Sequence, residues 1–124
     1  MAIHESGENY LEQLLVLTKE KEKVRAVDLC AALGFSRPTV SVMLRELRDG
    51  GFVVTNDQGA LSLTEKGEEV ANKIYERHCL ITAMLTAIGV PLEIAKKDAC
   101  LLEHDISEET LCCIRRFVAE EGKK

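Results

Sequence analysis

The sequence of 124 residues is poor in aromatic side chains, which make up 4% of it, and it has no tryptophan. This scarcity disfavours the stacking platforms that bind single-stranded nucleic acid or RNA. No stretch approaches the roughly eighteen uncharged apolar residues of a membrane span. The first residues also lack a basic start followed by an apolar run, so we expect no secretory signal.

An excess of positive charge is also missing, since the formal net charge is −5. This balance argues against a nonspecific polybasic nucleic-acid binder, but it does not exclude a specific DNA-binding protein with its cations on one face. Without an export signal the expected compartment is the reducing cytoplasm. The five cysteines are therefore expected to be free thiols, buried residues or metal ligands rather than disulfides. The apolar content of 46% suffices for one domain or two small units.

Apolar residues recur mostly at helical spacing, which predicts a mainly α fold. Gly34 is a suitable helix stop, Ser36 a suitable N-cap and Pro38 suits a first turn. Two β-prone runs around a polar turn predict one hairpin, with strands near 52–55 and 60–63. A short extended segment is also predicted for 24–27. The predicted helices are 5–20, 27–33, 36–48, 64–88, 91–104 and 107–121.

The first half has the order of a winged helix-turn-helix, because a short helix, a turn, a second helix and a hairpin follow one another. The second of these helices would lie in a DNA major groove, with its N-terminal residues at base edges. The tip of the hairpin, Asn56 to Gln58, would be the wing, and Asp57 there would repel phosphate, which argues against a contact at the wing. The predicted DNA-contacting residues are Ser36, Arg37, Thr39, Ser41 and Arg45.

The second half contains a group of potential metal ligands. Cys100, Glu103 and His104 stand at i, i+3 and i+4, so they share one helix face. Sulfur, carboxylate and imidazole together suit a borderline divalent transition metal. The alternative is that Cys100 is a small buried residue and the other two are surface residues at a helix end. Further ligands could come from His78, which follows Arg77 and would ordinarily face solvent, and from Glu8, Asn9 and Glu12.

Five segments, in this order, carry a resemblance that covers nearly the whole chain. They are ENYLEQLL, RPTVSVMLRELRDGGFV, LSLTEKG, YERHCL and DACLLEHDIS. The sequence resembles the diphtheria toxin repressor family of metal-dependent transcriptional regulators. It is most similar to the short two-domain branch typified by the manganese transport regulator. Larger members carry a third, SH3-like domain, for which we expect no room in this chain.

The resemblance implies a cytoplasmic, homodimeric, metal-activated repressor of metal-ion homeostasis that binds operator DNA. It implies a winged-helix DNA-binding domain at 1–73 and a helical metal-binding and dimerisation domain at 74–124. In the family, a metal joins the first helix to the dimerisation helices and sets the spacing of paired recognition helices near one DNA turn, ~34 Å. The ligands implied here are Asn9, Glu12, His78, Cys100, Glu103 and His104.

Two departures from the manganese branch bear on the choice of metal. That branch has aspartate in place of Asn9 and glutamate in place of Cys100, whereas the iron branch has cysteine at the latter position. We therefore expect Fe(II) to be favoured and Mn(II) to come next, with Zn(II) or Co(II) possible. Thr82 and Lys96 replace iron-branch ligands of a second site. A manganese-branch second site, sharing Glu12, Cys100, Glu103 and His104, stays open.

The alternative functions are metal-independent regulation, protein interaction and metal-based catalysis. A metal-independent winged-helix regulator, or a protein-interaction module on this fold, would show no effect of metal on DNA affinity. A metalloenzyme is disfavoured because the sequence has no HExxH motif, no carboxylate pair placed for acid–base work and no phosphate-binding glycine loop. We accordingly expect no enzymatic activity, no small organic substrate and no membrane partner.

Overall fold

The computed structural model describes residues 5–122, and its mainly helical fold with one hairpin is the predicted one. The elements are α1 Glu5–Glu20, α2 Ala26–Leu33, α3 Arg37–Asp49, β1 Val53–Thr55, β2 Leu61–Leu63, α4 Glu65–Ala87, α5 Leu92–Leu102 and α6 Glu108–Gly122. The chain forms two compact units, one up to Asn72 and one from Lys73 onward. None of the helices within residues 5–122 combines the length and the apolar composition of a membrane-spanning helix.

Local signals in the sequence set the helix-turn-helix of the first unit. α2 ends at Gly34, whose left-handed conformation (φ 74°) lets its N–H donate to the Cys30 carbonyl at 2.9 Å. The Ser36 hydroxyl then accepts from the Thr39 N–H at 3.4 Å and caps α3, with Pro38 in the first turn. The two helices bend by 116°, within the range usual for a helix-turn-helix.

The hairpin that follows α3 is an antiparallel pair in which Val53 stands opposite Leu63. Its turn is held by the Asn56 side chain, whose Oδ1 accepts from two backbone N–H groups at 2.9 Å. The predicted extended segment 24–27 is wrong in its second half, because α2 already begins at Ala26. The capping of α2 explains the early start, since the Asp28 carboxylate accepts from the Arg25 N–H at 2.8 Å.

The helical periodicity of the sequence becomes the core of each unit. In the first unit the buried side chains include Leu11, Leu14, Leu29, Val40, Leu44, Leu47, Phe52 and Leu61. In the second unit, Ile81 of α4, Ala99 of α5 and Ile114 of α6 form a buried cluster. Because one residue of this cluster comes from each helix, it fixes how the three helices of the second unit pack together.

Gly67 in the first turn of α4 lies unusually close to another backbone segment. A Cβ placed on it would lie 2.0 Å from the Phe52 carbonyl oxygen, far inside van der Waals contact. Its N–H also donates to the hydroxyl of Thr64 at 3.0 Å, so this turn cannot easily move away. The close approach explains why a glycine occupies this position.

We therefore expect Gly67→Ala to lower the free energy of unfolding by about 1–3 kcal/mol or more, because the added methyl group overpacks this contact. Urea unfolding of the two proteins measures the difference. Gly122→Ala is the matched control, since a Cβ there meets no atom within 4 Å. Equal stability of the two variants would contradict the predicted clash.

Candidate metal centre and nucleic-acid interface

Three donor side chains converge in the second unit. His78 lies on α4 and Cys100 on α5, and Glu103 is the C-cap residue of α5. Their ligand atoms all lie within 4.8 Å of one another. His78 Nδ1 is 3.0 Å from Glu103 Oε2 and 3.8 Å from Cys100 Sγ, so one ring nitrogen faces both the carboxylate and the thiol.

Glu103 is the central residue of this cluster, and it is completely buried, with 0% of its surface exposed. Its second oxygen, Oε1, lies 3.4 Å from His104 Nε2 but makes no hydrogen bond within the part of the chain that the structure describes. A buried carboxylate is costly unless positive charge and hydrogen bonds compensate it. Two imidazoles supply that charge only when protonated, so a bound cation fits this position.

The donor set also restricts which cation fits. Nitrogen and sulfur ligands suit Fe(II), Co(II) or Zn(II), and the carboxylate also suits Mn(II), whereas Ca²⁺ and Mg²⁺ prefer oxygen ligands throughout. The His78 side chain is 22% exposed and Cys100 is exposed, so the cluster is not sealed on every side. The residues present therefore fit a divalent transition metal.

The predicted ligands divide into two groups. The structure brings together His78, Cys100 and Glu103, and it places His104 beside the second oxygen of Glu103 with its side chain 2% exposed. The neighbouring Arg77 had favoured a solvent-facing His78, yet the histidine is only partly exposed. Asn9 and Glu12 lie on α1 in the first unit, where both are half-buried. Their role as ligands stays a prediction.

A second candidate site lies between α3 and the hairpin of the first unit. It is a cleft of about 300 Å³ whose lining includes three arginines, Arg25, Arg37 and Arg48, together with Ser41. Arg48 donates to the Thr55 hydroxyl at 3.0 Å. Arg25 donates to a carbonyl of the wing turn at 3.3 Å. A positively charged cleft beside a recognition helix is suited to the phosphates of a DNA backbone.

The five predicted DNA-contacting residues are all exposed, and they line different clefts of the first unit or none. Arg37 and Ser41 line the arginine cleft, whereas Thr39 lines a separate pocket that includes Tyr10 and Phe35. The remaining two, Ser36 and Arg45, line neither of these pockets.

Arg25 and Arg48 of the cleft were not among the residues predicted to contact DNA. A signal for Arg48 was present, because it follows Arg37 by three helical turns and so lies on the same face of α3. Arg25 lies outside the helices, in the connection before α2. Its place beside the wing therefore depends on packing.

A winged helix-turn-helix followed by a helical unit with a nitrogen, oxygen and sulfur donor cluster defines a metal-dependent DNA-binding regulator. The family model described as the iron dependent repressor N-terminal DNA binding domain matches residues 2–61. The model described as the metal binding and dimerisation domain of the same repressors matches residues 64–121. The chain belongs to the iron-dependent repressor family, whose members are transcriptional regulators and not enzymes.

Individual relatives agree with this assignment. The chain is 38% identical over 117 residues to the transcriptional regulator MntR of Escherichia coli O6:H1, covering 94% of this chain and 76% of that protein. It is 32% identical over 116 residues to the uncharacterized HTH-type transcriptional regulator MJ0568 of Methanocaldococcus jannaschii, covering 92% and 93%. The predicted family and its short branch are confirmed.

A solved structure of a manganese-dependent transcriptional repressor in complex with manganese matches the fold with a TM-score of 0.84 and 26% identity. The match covers 91% of this chain and 52% of that one. The chain thus spans about half the length of this repressor and of the manganese regulator SloR, another solved structure that it matches.

Proposed function

We propose that this protein is a cytoplasmic, homodimeric, metal-activated repressor that binds operator DNA and controls metal-ion homeostasis. The observation that carries the proposal is the fully buried Glu103 carboxylate, which lies beside an imidazole and a thiol in a group of side chains that could hold a metal ion. Membership of a family with DNA-binding, metal-binding and dimerisation domains supports the remaining parts.

The residues of the cluster would hold the metal through His78, Cys100 and Glu103, with His104 alongside. A bound divalent cation would place positive charge next to the buried carboxylate of Glu103. The thiol of Cys100 must lose its proton to act as a ligand, and His78 must be neutral. Asn9 and Glu12 are the further ligands that the family resemblance adds.

The first unit would read the operator. The N-terminal end of α3 presents Arg37 and Ser41 to base edges, while Arg25 and Arg48 take the DNA backbone at the side of the wing. In a two-fold dimer the paired recognition helices must lie about one DNA turn apart, ~34 Å, to enter successive major grooves.

Two observations favour different metals. The similarity to a manganese-dependent repressor favours Mn(II). The thiol of Cys100 within the cluster favours softer ions, because a thiolate is a softer ligand than a carboxylate. We propose that both Fe(II) and Mn(II) activate DNA binding and that Fe(II) is the stronger activator.

The deciding experiment measures binding of the protein to DNA from the region upstream of its own gene. Mn(II), Fe(II) and Zn(II) are titrated in separately under anaerobic conditions. We expect each activating metal to strengthen binding, and a chelator to reverse the effect. Operator affinity that no metal changes would instead support a metal-independent winged-helix regulator. Absence of any DNA binding would support a protein-interaction module.

The two arginines predicted on α3 should respond differently to replacement. If Arg37 contacts a base edge, Arg37→Ala costs about 1–3 kcal/mol of operator binding and relaxes the sequence preference. If Arg45 contacts phosphate, Arg45→Ala weakens all sequences alike and reduces the salt slope by about 1. Fluorescence anisotropy over a salt series measures both quantities.

Lys97→Ala is the matched control for these variants, since it removes an exposed cation from the second unit. Wild-type operator affinity in both arginine variants would mean that α3 does not form the DNA-binding surface. Fluorescence measurements with a scrambled DNA of the same length separate a loss of specificity from a general loss of affinity.

A further inference from the structure

Arg77 occupies the position next to His78 on α4, and its side chain is largely buried, with 16% exposed. Its Nη1 donates to the carbonyl of Glu103 at 3.2 Å and to that of Ile106 at 3.1 Å. Its Nη2 pairs with the carboxylate of Glu108, the first residue of α6. One guanidinium therefore reaches three points along the connection between α5 and α6.

We propose that Arg77 is a positioning residue of the metal centre. It holds the backbone of Glu103 next to the part of α4 that carries His78, without touching the metal. The inference rests on the proposed function, because it concerns the same site. Arg77 and His78 are adjacent on α4, and Arg77 donates a hydrogen bond to the carbonyl of Glu103. The hydrogen bonds thus tie the backbone of one donor residue to the helix that carries another.

The end of α5 explains why this connection needs an external donor. The last carbonyls of a helix have no partner within the helix, and Glu103 stands at that end. A guanidinium presents several N–H donors in a fixed plane, so it can serve two carbonyls and a carboxylate together. An ammonium group at the same place carries its three donors on one atom and cannot span these points.

The hydrogen bonds from Arg77 to the carbonyls of Glu103 and Ile106, rather than its ion pair with Glu108, hold the connection in place. The Glu108 side chain is 73% exposed, and an ion pair with such a partner is worth little in water. The two carbonyl bonds are partly buried, where a hydrogen bond is electrostatically stronger. Loss of these bonds would leave the donor residues present but loosely placed, which weakens metal binding.

The neighbouring pair of Arg115 on α6 and Glu76 on α4 offers a matched control. It also joins an arginine to a carboxylate within the second unit, but both side chains are about half exposed, at 47% and 53%. The hydrogen bond to Glu76 raises the pKa of Arg115, so this pairing, too, favours the charged guanidinium. Its bonds go to Glu76 and to a cysteine of its own helix, not to the connection that carries Glu103.

The test compares the affinities of full-length wild type, Arg77→Met, Arg77→Lys and Arg115→Met for Mn(II) and Co(II), measured by competition with a chelating dye. Thermal unfolding of the metal-free proteins is measured in parallel. We expect Arg77→Met to bind both ions about 10–100-fold more weakly, as is typical when a group that orients a ligand is lost. Arg77→Lys should recover only part of the loss, and Arg115→Met should bind as wild type does.

The Co(II) absorption spectrum adds a measurement that a purely structural role would not change. We expect the band from thiolate-to-cobalt charge transfer to weaken or shift in both Arg77 variants, because the carboxylate and the thiol no longer meet the ion together. If Arg77→Met does not fold, Arg77→Lys provides the comparison and should still weaken metal binding. Glu108→Gln removes only the exposed ion pair, so it should bind metal nearly as wild type does.

The outcomes separate this inference from the proposed function. Metal affinity and a Co(II) spectrum equal to wild type in the Arg77 variants would overturn the positioning role, whatever the metal does to DNA binding. Tight metal binding by wild type that leaves operator affinity unchanged would overturn the proposed function, and a weakened Arg77→Met would still support the positioning role.

Discussion

Replacing Glu103 with glutamine should abolish metal-activated DNA binding while leaving the metal-free protein at least as stable as wild type. The amide has the same shape as the carboxylate, so the packing of this fully buried side chain is kept. A neutral group in this buried position, beside two histidines, avoids the desolvation cost that a carboxylate carries there. Metal binding and metal-free stability should therefore change in opposite directions.

Thermal unfolding with and without Mn(II) makes this prediction quantitative. A metal present at 100 times its dissociation constant stabilises the folded wild type by about 2.7 kcal/mol, and Glu103→Gln should gain almost nothing at the same concentration. Glu109→Gln, an exposed carboxylate in the first turn of α6, is the control and should respond to metal normally. Operator binding by Glu103→Gln that metal still strengthens would show that the cluster is not the activating site.

Cys100 and Asn9 should set the preference between metals. We expect wild type to respond to lower concentrations of Fe(II) than of Mn(II). Compared with the manganese branch, the thiolate of Cys100 stands in place of a hard carboxylate and the neutral amide of Asn9 in place of a charged aspartate. The double replacement Cys100→Glu with Asn9→Asp should shift the ratio of the two activating concentrations toward Mn(II) by about tenfold or more, ~1.4 kcal/mol. Anaerobic operator titrations with each metal measure this ratio.

The control for this second prediction is Cys79→Ser, which removes another exposed thiol from the same unit. Metal should protect Cys100, but not Cys79, from alkylation. If Cys100→Ser is activated normally by every metal and its wild-type thiol is never protected, the selectivity argument is wrong and Cys100 is a bystander. The remaining cluster residues and the repressor function would stand.

Much of the first unit could be predicted because its signals are local. A glycine that accepts a left-handed conformation ends α2, a serine hydroxyl caps α3, and Asn56 closes the turn of the hairpin. Each of these depends on hydrogen bonds from backbone N–H groups to residues that are near neighbours in the chain. The end of α5 was predicted less well, since the helix stops at Leu102 and leaves His104 in the following turn.

The sequence by itself determined which residues could share a helix face, because the rise and turn of an α-helix are fixed by its own hydrogen bonds. Spacing alone thus placed Cys100 and Glu103 together. That His78 meets them, 22 and 25 residues away along the chain, was decided by the tertiary structure. The buried contacts of Ile81, Ala99 and Ile114 set the distances between helices.

The same packing decided the roles of the arginines. Arg77 reads in the sequence as an ordinary charged residue beside a histidine, and only the folded chain brings the carbonyls of Glu103 and Ile106 within its reach. Arg25 likewise meets the wing 33 residues further along the chain. Local spacing cannot encode such contacts, because the distance between two helices, or between a helix and a loop, depends on the side chains buried between them.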